Sequence, residues 1–157
     1  MRSWLRVGLC ALLLTGCGST QEDQPQRPTT VTMSLVAQSR VNSDMWGQAA
    51  PIEIQVFELS DDSMFMSSSY DELRDDDKKA LKSNFVKRYD YVLTPDQFKF
   101  INEIEVDSDT RYIGVMANFS DIEKSDWKKT VKVSTLNREY HLLMLLGEHD
   151  VQLKRVE

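Results

Sequence analysis

The sequence predicts an antiparallel β-sandwich, on three observations. Apolar and polar residues alternate with period two over most of the chain after residue 29. The alternating runs are short, eight in number, and separated by turn-forming residues. The composition, 41% hydrophobic and 28% charged over 157 residues, is that of one ordinary folded domain with at most a tail. It excludes a collagen-like repeat, a chain disordered throughout and a polytopic membrane protein.

The strands follow in order. Val31, Met33, Leu35 and Ala37 alternate with Thr32, Ser34, Val36 and Gln38, as a half-buried strand requires. The segment 39–51 comes next and is too long for a tight hairpin. Ile52-Glu53-Ile54-Gln55-Val56 begins the second strand and leads to Phe57 and Leu59. Later strands are expected at Phe85–Leu93, 98–106, 112–119, 130–134, 139–146 and 150–156, with turns at Asp107-Ser108-Asp109 and Leu146-Gly147-Glu148. One stretch, 60–83, breaks the period. Its Met64, Phe65, Tyr70, Leu73 and Leu81 fall at helical spacing, and Asp71 and Glu72 precede Lys78, Lys79 and Lys82, the order a helix dipole favours. One or two short helices are therefore expected between the second and third strands, capping an edge or end of the sandwich. Residues 121–127 are expected to form a helical turn with Trp127 as its core anchor.

The amino terminus is of another kind. Arg2 and Arg6 precede an eight-residue apolar run, Val7 to Leu14, far short of the roughly 20 residues that span a bilayer. The run fits the apolar core of a secretory leader. Leu14-Thr15-Gly16-Cys17 resembles the bacterial lipobox, in which a thiol takes a diacylglycerol and the peptidase cuts before it. On this reading residues 1–16 are removed with Cys10, and Cys17 carries S-diacylglycerol and N-acyl chains. The two cysteines then form no disulfide. Several chains hold firmly where one is marginal, at about 0.8 kcal/mol per buried methylene. Gly18, rather than Asp, after the cysteine implies onward transfer to the outer membrane. Residues 17–28 form the lipidated cysteine and a flexible tether, since 18–28 hold no large apolar side chain and include Pro25 and Pro28. The folded domain is then 29–157. Loss of the leader leaves 17 basic against 25 acidic residues, a formal charge of −8. Without a basic patch, nucleic acid is not expected as a partner.

No residues present a catalytic set. With Cys17 acylated no thiol remains, there is no G-x-S-x-G, and Glu103 and Glu105 share one strand face. His141 and His149 are the only histidines. A two-residue turn at Gly147-Glu148 would set Leu146 opposite His149 and His141 opposite Lys154, too far apart to share a metal. Asp75-Asp76-Asp77 lacks the alternating ligands and glycine of a calcium loop and is followed by Lys78 and Lys79, which reads as a solvated helix face. Asn118-Phe119-Ser120 matches a glycosylation sequon, without meaning beside a bacterial lipobox. The expectation is no enzyme, no cofactor beyond the lipid on Cys17, no metal and no small-molecule substrate. The informative segment is 39–51. There Asn42, Ser43, Asp44, Gly47 and Gln48 give a loop composition around two bulky apolar residues, Met45 and Trp46. Trp46 is either a contact anchor at the loop tip or a residue folded back on the sandwich edge.

The run Asn42-x-Asp44-x-x-Gly47-x-x-x-Pro51, followed by Val56-Phe57-Glu58-Leu59, resembles the outer-membrane lipoprotein family of the type VI secretion system (TssJ/SciN). Phe65, Tyr70-x-x-Leu73, Asp75-Asp76-Asp77, Leu81, Val86, Arg88 and Tyr91-Val92-Leu93-x-Pro95 continue the match. So do the run from Thr110 to Ala117, Phe119 and Trp127. Asp96 stands where the family usually has Gly, Ser120 where an Arg is often seen, and Tyr89 where an acid is common. The resemblance implies a transthyretin-like sandwich of two four-stranded sheets. It implies a non-enzymatic structural protein, lipid-anchored in the outer membrane facing the periplasm, that binds the periplasmic C-terminal region of the inner-membrane component TssM. It also implies that the partner meets the loop holding Asn42, Ser43, Asp44, Met45, Trp46, Gly47 and Gln48. The rival class is a periplasmic ligand- or carbohydrate-binding lipoprotein on the same sandwich, which would need a pocket of convergent polar groups.

Overall fold

The computed structural model describes residues 27–156; the expected leader, Cys17 and the expected tether up to residue 26 lie outside them. Eight strands, β1 (Thr30–Ala37), β2 (Ile52–Leu59), β3 (Phe85–Leu93), β4 (Phe98–Glu105), β5 (Tyr112–Ala117), β6 (Lys128–Lys132), β7 (Glu139–Leu146) and β8 (Val151–Val156), form two four-stranded sheets. The first has the order β4-β1-β7-β8 and the second β3-β2-β5-β6. The expected sandwich is present, and every strand pair is antiparallel except β1 with β7.

Alternation in the sequence becomes alternation in burial. Val31, Met33, Leu35 and Ala37 of β1 are buried against Ile52, Ile54 and Val56 of β2, Val115 and Ala117 of β5, and Leu142, Met144 and Leu146 of β7. That inner layer is the main core, and removal of its apolar surface from water is the dominant stabilising term. β2 and β5 depart from strict alternation because they are apolar on both faces. Phe57, Leu59 and Met116 point away from the inner layer and form a second core with Phe65, Leu73 and Leu81.

Those last three residues come from the insertion, helices α1 (Ser63–Ser67) and α2 (Tyr70–Leu81). The insertion does not cap an edge or end, as the spacing alone had suggested. It covers the outer face of the second sheet, because the apolar outward residues of β2 and β5 would otherwise meet water. α2 starts with a capping box in which Ser69 and Glu72 satisfy each other's backbone N–H groups. Gly114 lets α1 approach: a Cβ there would lie 3.1 Å from Leu59 Cδ1 and 3.3 Å from the Phe65 ring. Lys128 fastens the far end of α1, its ammonium donating to the carbonyls of Phe65, Met66 and Ser68 at 2.6–3.0 Å. Burial lowers the pKa of that ammonium.

Several details differ from expectation. Asp77 is buried rather than solvated, and pairs with Arg88 at 2.6 Å, while Asp76 accepts the Lys79 N–H and Asp75 pairs with Arg74. The connection between β7 and β8 holds four residues, so Leu146 faces Val151 and His141 faces Val156. The His149 carbonyl accepts the Asp126 N–H and the Val151 N–H donates to the Asp126 carbonyl, a bridge to the segment before β6, while the Asp150 carbonyl accepts the Gly147 N–H and closes the turn. A 3-10 turn, Ile122–Lys124, precedes Trp127, which packs against both cores and meets Tyr70 edge to face. At the β3–β4 turn Asp96 takes φ +61° and Gln97 N–H bonds Thr94 carbonyl, so the geometry that glycine favours is kept with Asp in its place.

Candidate functional site

The topology brings three loops to one pole. Because β1 and β7 run parallel, the connection after each leaves at the same end, and because β5 is antiparallel to β2, its exit lies beside the start of β2. The 38–51 loop therefore meets residues 118–127 and 147–150 there. The described chain begins at the opposite pole. Arg27 N–H bonds the Asn137 side chain, and Pro28 bridges Leu136. Eight residues of β1 separate the two ends, about 26 Å at 3.3 Å per residue.

The 38–51 loop is built from the inside out. Val41 is fully buried and its N–H bonds Gln38 carbonyl. Asn42, with φ +50°, is also buried; its amide donates to Pro51 carbonyl at 2.9 Å and accepts from Ser120 N–H at 2.7 Å. Ser43 is buried too and donates to Arg40 carbonyl at 2.8 Å. Asp44 starts a tight turn: its Oδ1 accepts the Trp46 and Gln48 N–H groups, both at 2.9 Å, and Gly47 closes the turn onto Asp44 carbonyl with φ +77°. Side-chain acceptance of this kind is why Asp leads such turns, and the positive φ is why Gly follows.

On this scaffold Met45 and Trp46 are thrust outward, 85% and 78% exposed. Trp46 does not fold back on the sandwich edge. Gly47 and Gln48 are exposed and Asp44 half-buried. The seven residues singled out in the sequence thus divide into an inward pair, Asn42 and Ser43, which hold the loop, and an outward group from Asp44 to Gln48. The loop borders an open cleft of about 740 Å³ lined also by Arg40, Ser120, Asp121, Lys124, Glu148 and His149. Arg40 pairs with Glu148 at 2.7 Å and Lys124 with Asp121 at 2.8 Å; the lysine hydrogen bond holds the Asp121 carboxyl below its ordinary pKa.

Reading the sequence segment by segment missed these flanking residues, since their nearness to Trp46 is a product of strand direction. It missed a second exposed surface as well. On the outer face of the first sheet, Phe98 and Phe100 of β4 lie beside Val36 and Ser34, with Leu145 and Leu143 in the next strand. His141 sits there too, its ring nitrogens bonded to Thr32 and Ser34 hydroxyls at 2.8 and 3.0 Å and its ring stacked on Phe100. The two phenylalanines at alternate positions of 98–105 were the available signal.

The family model described as type VI secretion lipoprotein (VasD, EvfM, TssJ) matches residues 29–149. No curated protein matches the chain. The fold is similar to the crystal structure of the type VI lipoprotein TssJ1 from Pseudomonas aeruginosa, with 28% identity, TM-score 0.79, and 83% of this chain and 98% of that one covered. It is also similar to Serratia marcescens Lip, a membrane-bound component of the type VI secretion system, with 25% identity, TM-score 0.72 and the same coverages. A chain in a solved structure described as the TssM C-terminal domain from EAEC shares the fold at 19% identity, TM-score 0.68, covering 81% of this chain and 98% of that one. The chain belongs to the type VI secretion lipoprotein family.

Proposed function

We propose that this protein anchors the type VI membrane complex to the outer membrane, and that the pole bearing Trp46 docks the periplasmic C-terminal region of TssM. Residues 1–16 are the cleaved leader, Cys17 carries the lipid, and the tether runs to Pro28. The domain hangs in the periplasm beneath the inner leaflet of the outer membrane. Its work is binding and not turnover.

One observation carries the docking reading: Met45 and Trp46 stand exposed on a backbone that Asn42, Ser43 and Asp44 hold in place. Large apolar side chains on a preformed loop lose little conformational freedom on binding, and tryptophan is prominent among interface hot spots. The site also lies at the far end of β1 from the tether, so a domain drawn toward the membrane by its amino terminus leaves this pole free. The identity of the partner rests on the family resemblance of the sequence.

The test is binding of the detergent-solubilised lipoprotein to the periplasmic region of TssM. Replacing Met45 and Trp46 together by Ala should weaken binding by at least 100-fold, about 3 kcal/mol, without lowering the melting temperature. Undiminished binding of that variant would overturn the loop assignment.

A further inference from the structure

The cleft at the docking pole has an unmatched charge. Of its two cations, Arg40 is paired with Glu148 and Lys124 with Asp121. Its remaining acid, Asp44, has no ion pair among the described residues, and only its Oδ1 accepts hydrogen bonds. Those bonds tie the carboxylate to the backbone of Trp46, and both residues line the same cleft. No described ring or cation packs on that indole. The mature chain, at −8, adds a negative field around the site.

Resting on the docking reading above, we infer that the partner segment seated here presents an arginine, its guanidinium stacked on the Trp46 indole and bonded to the free oxygen of Asp44. Arginine fits better than lysine because its planar fork can stack on a ring while its edge binds a carboxylate, and it is the more weakly hydrated cation. Arg40 and Lys124 do not oppose it strongly, since each is already neutralised by its own acid. Met45 supplies the apolar contact beside the pair.

Asp44→Asn separates the two roles of this residue. An asparagine Oδ1 accepts the same two backbone N–H groups, so the turn is kept and only the charge is lost. The detergent-solubilised full-length lipoprotein is titrated with the partner's periplasmic region at low and high salt. Asp44→Asn should bind about tenfold more weakly at low salt and show a flatter salt dependence, with an unchanged melting temperature. One partner arginine, replaced by Gln, should cost as much, and the two changes together should cost little more than either alone. If Asp44→Asn binds like wild type at every salt while Trp46→Ala loses binding, the loop docks its partner without a cation and the inference is overturned. If Met45→Ala with Trp46→Ala also binds like wild type, or if wild type does not bind, the docking reading fails and takes the inference with it.

Discussion

A carboxyl group enclosed in a protein is usually matched by a cation, yet Glu58 is only 1% exposed and its partners are neutral. Tyr89 hydroxyl donates to Oε1 at 2.7 Å, while Asp107 N–H and Thr110 hydroxyl donate to Oε2 at 2.9 and 2.8 Å. Burial, then the bond to Glu58, raises the Tyr89 pKa well above the ordinary phenol range. The three bonds close the end of the inner core and tie the β4–β5 connection to β2. Glu58→Ala leaves three donors without an acceptor and opens a void. It should cost about 3 kcal/mol, with Glu58→Gln costing less, read as a shift in the urea midpoint at constant slope. Such residues show where sequence reading reaches its limit. Trp46 stood out because a large apolar side chain in a polar loop is unusual. Asn42 and Ser43 looked like its neighbours on the surface because nothing local marks a buried polar side chain. Asn42 is fixed by Ser120, 78 residues away, and Glu58 by residues 31 to 52 positions distant.

At the scale of elements, β1 and β2 were legible because one buried and one open face write period two directly into the sequence. The insertion was legible as helix but not as cover for a sheet face. That placement follows from Phe57, Leu59 and Met116, whose outward direction is known only once the sheet is assembled. The β7–β8 register was also out of local reach, since the turn is widened to four residues where His149 and Val151 bond Asp126, which is distant in sequence and lies just before β6. The contact of α1 with the second sheet depends on the missing side chain of Gly114. Gly114→Ala would push a methyl against Leu59 and Phe65, both fully buried and without room to yield. The expected loss is about 1–3 kcal/mol, seen as a lower melting temperature with the β-sheet circular dichroism retained.

For the whole molecule, the two poles of β1 set the relation between proposed anchor and docking site. Cys17 and Arg27 are ten residue steps apart, at most about 33 Å along an extended chain, which bounds how far the domain could stand from a membrane that holds Cys17. Cys17→Ser should release a folded domain, with the melting temperature of wild type, into the soluble periplasmic fraction. Continued sedimentation with outer membranes would contradict lipid attachment at this residue. The described residues contain no helix long and apolar enough to cross a membrane, and an acidic chain gains little from anionic lipid.

The same geometry makes β1 a mechanical member. If the lipid holds one end of the chain and the partner grips Trp46, tension passes from the tether straight along β1 into the docking loop. The second sheet and the helical insertion lie off that path. A strand already extended to about 3.3 Å per residue, near the 3.6 Å limit of the backbone, has almost no slack to give. Its hydrogen bonds to β4 on one side and β7 on the other run across the pull and are loaded together in shear. A displacement at the loop would thus arrive at the start of β1 nearly undiminished, so the folded domain adds little compliance between its two poles.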